Sequence, residues 1–261
     1  MIVFSIAAMS RWKAAAVHLT ISAAIAGAVL SAMLAVWYPQ PFFEAAGGSH
    51  LLFILVGVDV VLGPTITLII FDLKKKSLRA LRIDLTIIAT LQLAALLYGV
   101  HVVFQARPVF IVFVKDRFEL VTAAEIDPDE LAKASRPEYR ELPLTGPKII
   151  GTEPPADPKE RERILFASVL GHLDWQDFPE LYVPYSEVAA QAAAKGMTVE
   201  RARAVEPDAA VAVADYLKRT GRHEADVRLL PLRARRTWLV VLVDAKSGAV
   251  LAFLSLKSAA Q

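Results

Sequence analysis

Few side chains in this 261-residue chain are of a kind that does chemistry, and they stand apart from one another. The costliest is Asp59, inside the apolar run Leu51–Phe71, followed at four-residue spacing by Gly63 and Thr67, with Pro64 between them. That spacing places Asp59, Gly63 and Thr67 on one helix face, and Pro64, lacking an N–H for the carbonyl of Val60, should kink the helix. A carboxylate at that depth demands a polar partner. Thr86, Thr90 and Gln92 in the apolar run Ile83–Val103 lie at comparable depth. Three readings stay open: an Asp59–Gln92 clasp within the chain, a polar contact for a partner's transmembrane segment, and a proton or ion path. His172-x-Asp174 and His223-Glu224 are pairs without a third ligand or a nucleophile, so surface or core roles are expected of them. There is no Gly-rich phosphate loop, G-x-S-x-G elbow or H-E-x-x-H. With no cysteine, thiolate chemistry, disulfides and Cys-based metal or haem sites are excluded, and neither cofactor nor metal is expected.

The other candidate is a surface. Trp175-Gln176-Asp177-Phe178-Pro179-Glu180-Leu181-Tyr182-Val183-Pro184-Tyr185 holds four aromatics and two prolines. It resists helix and strand alike. Trp175, Phe178, Tyr182 and Tyr185 would suit a rigid docking ledge, since aromatics dominate interface hot spots, or else pack onto their own domain. Arg233, Arg235 and Arg236 are expected as a basic edge guarding the last strand from aggregation.

The elements that must position these residues divide by solvent. Hydrophobic residues make up 55% of the chain and mean hydropathy is +0.44, more than a soluble domain of this size carries. The excess is confined to the first hundred or so residues. Leu51–Phe71 holds fifteen Leu, Ile, Val and Phe residues, which outweigh the roughly 2.5–3.5 kcal/mol that Asp59 sets against insertion. Three transmembrane helices are expected, at about 14–36, 51–71 and 83–103 within a membrane region 14–104, after a cytoplasmic N-terminus 1–13. Arg11 and Lys13 precede the first, Trp37-Tyr38-Pro39 closes it, and the loop Pro39–His50 has no Lys or Arg. Lys74, Lys75, Lys76, Arg79 and Arg82 supply five cations between the second and third. These cations should hold the N-terminus and the short turn in the cytoplasm and send 105–261 to the far side. A cleaved signal peptide with a poor site at Ser31-Ala32-Met33 is a rival for the first run, and Met9 a rival start to Met1. On the first helix Ala16, Thr20, Ala24, Ala28 and Ala32 form a small-residue ridge, and Ala23, Gly27, Ser31 and Ala35 another. Such ridges let helices approach closely, either within the chain or with a partner's helix.

Residues 105–261 are long enough for one globular domain. Pro108–Val114 and Phe118–Ala123 read as a hairpin, Asp127–Ser135 as a short helix capped by Asp127, and Arg136–Pro158, with six prolines, as an extended connector. Lys159–Leu170, Tyr185–Lys195 and Pro207–Thr220 read as helices, and Thr237–Val243 and Ala249–Ser255 as a closing hairpin. Two hairpins with helices between imply an α+β domain with an antiparallel sheet covered on one face. The net charge of +2 gives no reason to expect nucleic acid.

Several ordered motifs carry a resemblance. Gly57-Val58-Asp59-Val60-Val61-Leu62-Gly63-Pro64, Lys75-Lys76-Ser77-Leu78, Asp84-Leu85, Leu91–Gly99, Gln105-Ala106-Arg107-Pro108-Val109-Phe110 and Asp116–Val121 with Ala124-Glu125-Ile126 together resemble the TfpX/TfpZ type IV pilin accessory proteins. The resemblance covers residues 11–126. It implies a multi-pass protein of the bacterial inner membrane with a periplasmic C-terminal domain, acting as a chaperone or stabiliser of the type IV pilin subunit during pilus assembly. Its implied partners are the pilin, the bilayer and other pilus assembly proteins, and it implies no enzymatic activity. On that reading Asp59, Gly63, Pro64, Thr67 and Gln92 line an intramembrane contact, and the Trp175–Tyr185 ledge touches the pilin head. A membrane-bound enzyme modifying pilin or another envelope substrate and a periplasmic sensor are the alternatives. Oligomeric state, and the particular pilin served, are not legible in the residues.

Overall fold

Long apolar runs without proline make long helices, and two such runs dominate the N-terminal region of the computed structural model. The structure describes residues 10–48, 57–71, 77–171, 173–235 and 237–256. Helix α1 spans Arg11–Val36 and helix α4 spans Leu78–Gln105, about 39 and 42 Å at 1.5 Å per residue. Both are long and apolar enough to cross a membrane. Where three spans were expected, the described residues hold two of that length. The expected second span is described from Gly57 onward, Leu51–Val56 lying outside the described residues. There it is a six-residue π-helix, Gly57–Leu62, followed by the eight-residue helix α3, Gly63–Ile70. Pro64 supplies the reason. It has no N–H for an i−4 bond, so the preceding turn widens and the helix restarts with the proline in its first turn.

The chain separates into two compact units. One holds α1 to Ala35 and the residues from Gly48 to Phe104; the other holds Val36–Gly47 and everything from Gln105. The loop after α1, with its short helix α2 at Phe42–Ala45, therefore belongs to the C-terminal head. Tyr38, Phe42 and Ala45 are buried there. The Gly146 N–H donates to the Val36 carbonyl at 2.9 Å, and the Phe42 ring meets Phe253 edge-on at 5.0 Å. Arg107, 3% exposed, donates from Nε to the Pro143 carbonyl, and burial holds its pKa below the usual guanidinium value while raising that of Tyr38.

The head is built on one seven-stranded sheet in the order β4-β3-β1-β2-β5-β6-β7. The strands are β1 Pro108–Val114, β2 Arg117–Thr122, β3 Lys148–Thr152, β4 Tyr182–Pro184, β5 Val227–Arg233, β6 Trp238–Asp244 and β7 Val250–Ser255. Both expected hairpins form, β1–β2 and β6–β7. The sheet, however, is mixed where an antiparallel one was expected: β3 runs parallel to β1, and β5 parallel to β2. Long crossovers are the cause, because neither β2 to β3 nor β4 to β5 is joined by a tight turn that would reverse the chain beside its neighbour. The Pro-rich connector contributes β3. Every residue of β1 is buried, so the centre of the sheet is covered on both faces.

Phe110, Val112 and Val114 pack with Ala123–Tyr139, a stretch that includes helix α5 at Pro128–Leu131. Phe113 and Phe118 stack instead with Tyr185, the first residue of helix α7, Tyr185–Lys195. Helices α8, Val199–Val205, and α9, Pro207–Thr220, cover β5 and β6 through Val199, Val213 and Leu217 against Leu229, Val240 and Leu242. Gly248, at φ 72°, allows the β6–β7 turn to lie against α7; a Cβ there would stand 1.8 Å from the Ala189 carbonyl oxygen. Because Phe42 is an integral core residue of the head, Phe42→Ala should lower the head's stability by about 3 kcal/mol. Pulse proteolysis of the full chain in detergent against urea reads this directly.

Candidate functional site

In the N-terminal unit the polar side chains gather around a residue that sequence reasoning missed. His18 Nδ1 lies 2.6 Å from Thr67 Oγ1, and its Nε2 lies 2.7 Å from Gln92 Oε1. A carboxamide oxygen only accepts, so Nε2–H donates to Gln92, while Nδ1 pairs with the Thr67 hydroxyl, a group able to donate or accept. One imidazole thereby ties α1, α3 and α4 together. Gly63 is part of the same arrangement: a Cβ on it would lie 2.0 Å from Gln92 Nε2. Thr67, Gly63 and Pro64 are buried. Asp59 lies in the π-helix and its side chain is outside the described residues. Three of the expected intramembrane residues, Gly63, Thr67 and Gln92, thus converge, and they do so on His18. A histidine in an apolar run was the signal available, and its place at four-residue spacing among Ala14, Ser22 and Ala26 is the packed stripe of α1.

That stripe excludes the small-residue ridges from the interior. Ala16, Thr20, Ala24, Ala28 and Ala32 are all exposed, as are Ala23, Gly27, Ser31 and Ala35, and a Cβ on Gly27 would meet nothing within 4 Å. Thr86 and Thr90 are likewise exposed. A groove of about 210 Å³ runs between α1 and α4, with Ile21, Ile25, Leu93 and Leu96 as apolar walls and His18, Ser22 and Gln92 as polar floor. Ala14, Phe71 and Leu81 close the unit at the end where Arg11, Lys13, Arg79 and Arg82 stand exposed. Lys74, Lys75 and Lys76 lie outside the described residues.

On the head, the aromatic ledge turns inward. Phe178 and Tyr182 are buried, the Tyr182 hydroxyl donates to the Gln176 carbonyl, and the Tyr185 hydroxyl donates to the Gly248 carbonyl at 2.6 Å. Phe178 and Trp175 pack under Ile164 of helix α6, Pro158–Gly171. The outer side of α6 is then bare: Leu165, Phe166, Val169, Leu170 and the following Leu173 are 42–78% exposed. Apolar residues at i, i+1, i+4, i+5 and i+8 were readable as one stripe, but which side faced the core was not.

A polar cleft of about 730 Å³ lies beside this stripe, lined by Glu119, Glu125, Asp174, Asp177, Arg233 and Arg235 among others. Arg117 links two of these carboxylates, with Nε 2.5 Å from Glu119 Oε1 and Nη2 2.6 Å from Asp174 Oδ2. Burial raises the pKa of Glu119 and of Asp177 above the usual carboxylate range. Arg233 ends β5, an interior strand, so it borders this cleft and does not guard the sheet edge; Arg236 is outside the described residues. His223 is exposed after α9, His172 is outside the described residues, and among the described residues no group of three or more His, Cys, Asp or Glu is placed to hold a metal ion.

Comparison with known proteins places this architecture. A profile described as Fimbrial assembly protein FimB matches residues 6–47, the stretch containing α1 and the loop that enters the head. The Dichelobacter nodosus "Fimbrial assembly protein, serogroups C1 and C2" is 34% identical over 122 residues, which cover 92% of that protein and 47% of this chain. The chain belongs to the fimbrial assembly protein family. The serogroup I and serogroup E1 fimbrial assembly proteins of the same organism are each 32% identical over 174 residues, 67% of this chain. The match spans 66% of the length of these two relatives. No solved structure matches the chain.

Two measurements test the site geometry. Gly63→Val forces the Gln92 amide away and should cost about 2 kcal/mol in the stability of the N-terminal unit in detergent. For the head, Glu119 and Asp177 are held above their ordinary values of 4.5 and 3.8 in the folded state. Folding therefore favours their protonated forms, and stability gained at low pH is lost as pH rises through the raised values. Urea midpoints of the full chain should rise as pH falls toward the ordinary carboxylate range, and Glu119→Gln should flatten the trend. Asp244 acts oppositely, its pKa lowered by the Ser247 and Lys246 N–H groups, but its titration falls below that window.

Proposed function

We propose that this fimbrial assembly family member is a membrane-embedded accessory protein that binds the type IV pilin subunit and supports pilus assembly, a non-enzymatic chaperone or stabiliser of the TfpX/TfpZ kind. The observation that carries this reading is the solvent that α1 and α4 require. Within their most apolar stretches only 17% and 11% of residues are buried, leaving Ile21, Ile25, Leu91, Leu93 and Leu97 among the exposed side chains. Leaving each such side chain in water forgoes about 1.5–3 kcal/mol, so these helices need lipid or other helices around them.

Sidedness then follows from connectivity. α1 enters the head at Val36, and α4 enters it at Gln105. If both cross a bilayer, Arg11 and Ser77 lie together on the side opposite the head. Arg11, Lys13, Arg79 and Arg82 stand at those ends of α1 and α4, and Lys74, Lys75 and Lys76 precede α4 in the sequence, which is the cytoplasmic distribution of cations. The head is then periplasmic and the membrane the bacterial inner one.

For the pilin contact, the bare ridges of α1 replace the face around Asp59, Gly63 and Thr67, because Gly63 and Thr67 already serve the His18 clasp. Small side chains let a second helix approach closely in lipid, where packing substitutes for the hydrophobic effect. On the head, the exposed stripe of α6 replaces the inward-facing ledge as the surface that meets the pilin head. A photo-crosslinker at Gly27 should capture pilin in cells, one at Thr67 should not, and Gly27→Leu should cut co-purified pilin about tenfold. Capture from position 67, with none from 27, would overturn the assignment of the face.

A further inference from the structure

Sheets end in strands whose outer N–H and C=O groups lack a partner strand, and proteins keep such edges short, charged, bulged or covered. The β4 edge is three residues long and ends in Pro184. The β7 edge is longer and, among the described residues, less guarded. It runs six residues, Val-Leu-Ala-Phe-Leu-Ser, with no charge and no proline, and its single irregularity, opposite Leu242 and Val243, falls at the turn end. Along its other half lies a groove of about 520 Å³, walled by Phe253, Leu254 and Ser255 and by Asp208, Val211, Ala212, Asp215, Lys218 and Arg219 of α9. Val211 is 64% exposed there.

We propose that two copies of this chain associate through this edge, pairing β7 with β7 antiparallel across a two-fold axis so that one sheet runs through both heads. The charge pattern of α9 selects a second copy as the occupant. A two-fold axis beside Val213 lays α9 antiparallel to its counterpart. Residues whose numbers are symmetric about 213 then face each other, so Asp208 of each copy meets Lys218 of the other, with Val211 and Ala212 of both near the axis. The acidic residue stands at the start of the helix and the cations at its end, the arrangement that an antiparallel pair of identical helices satisfies twice. Asp208 and Lys218 are ten residues, about 15 Å, apart along α9, out of each other's reach within one copy. Confinement of both copies to one membrane raises their effective concentration, so a modest interface suffices. The association is independent of whether pilin is the partner elsewhere.

The chain has no cysteine, so an introduced one reports cleanly. Ala212→Cys in the full chain, in membranes under mild oxidation, should give a disulfide-linked homodimer, whereas Leu170→Cys on α6, 78% exposed, should not. Asp208→Lys and Lys218→Asp should each weaken association of the labelled full chain about tenfold, and the double exchange should restore it to within about threefold. Dimerisation through Leu170→Cys with none through Ala212→Cys, adducts of Ala212→Cys with other proteins only, a chain monomeric at all membrane densities, or a double exchange no stronger than either single one would overturn the proposal.

Discussion

The packing of Tyr38, Phe42 and Ala45, from the loop after α1, into the head is the constraint on which the rest of the structure depends. A loop between two apolar runs would ordinarily lie free in solvent. Here its Tyr38, Phe42 and Ala45 are core residues, and its start is pinned by the Gly146 N–H. The head is therefore assembled from two separate pieces of chain. Of the apolar unit, residues 48–104 lie between these two pieces in sequence, and α1 precedes both.

Within the N-terminal unit a second interaction plays a comparable part. Small-residue packing alone specifies register weakly in lipid, where apolar side chains gain little by meeting one another. The imidazole of His18, bonded to Thr67 and Gln92, fixes α1 against both α3 and α4. An unsatisfied polar group in hydrocarbon costs several kcal/mol, so the wrong registers are penalised more than the right one is favoured. Glycine at position 63 is what lets Gln92 reach in. With this face of the bundle committed, the ridges of α1 are left exposed.

The head shows the same division between supporting and presenting residues. Its aromatics, which by type alone read as a docking ledge, stack on Phe110, Phe113 and Phe118 and hold α6 and α7 in place. Leu165, Phe166, Val169 and Leu170 of α6, on a helix whose first turns carry Lys159, Glu160, Arg161, Glu162 and Arg163, are the ones left exposed. Arg163 pairs with both Glu160 and Glu180, tying the polar half of that helix to the ledge beneath it. The presentation of an apolar stripe is thus a consequence of which neighbours pack beneath, not of which residues are most hydrophobic.

Periodicity and breakers alone determined the long helices, the helices Tyr185–Lys195 and Pro207–Thr220, the Asp127 cap and both hairpins, because each depends on interactions within a few residues. The strands β3 and β5 escaped that reading. One lies in a proline-rich connector and the other contains Pro231, and each is stabilised by pairing with strands distant in sequence. The same limit governs the sites. Local pattern marked Gly63, Thr67 and Gln92 as polar or small residues at one depth, but only tertiary structure decided that His18 joins them and that the ridges of α1 face outward. Local order is set by bonds between near neighbours along the chain. The orientation of a face is set by what arrives from elsewhere, and residues 36–47, lying more than two hundred positions before Phe253, give no local sign of where they will pack.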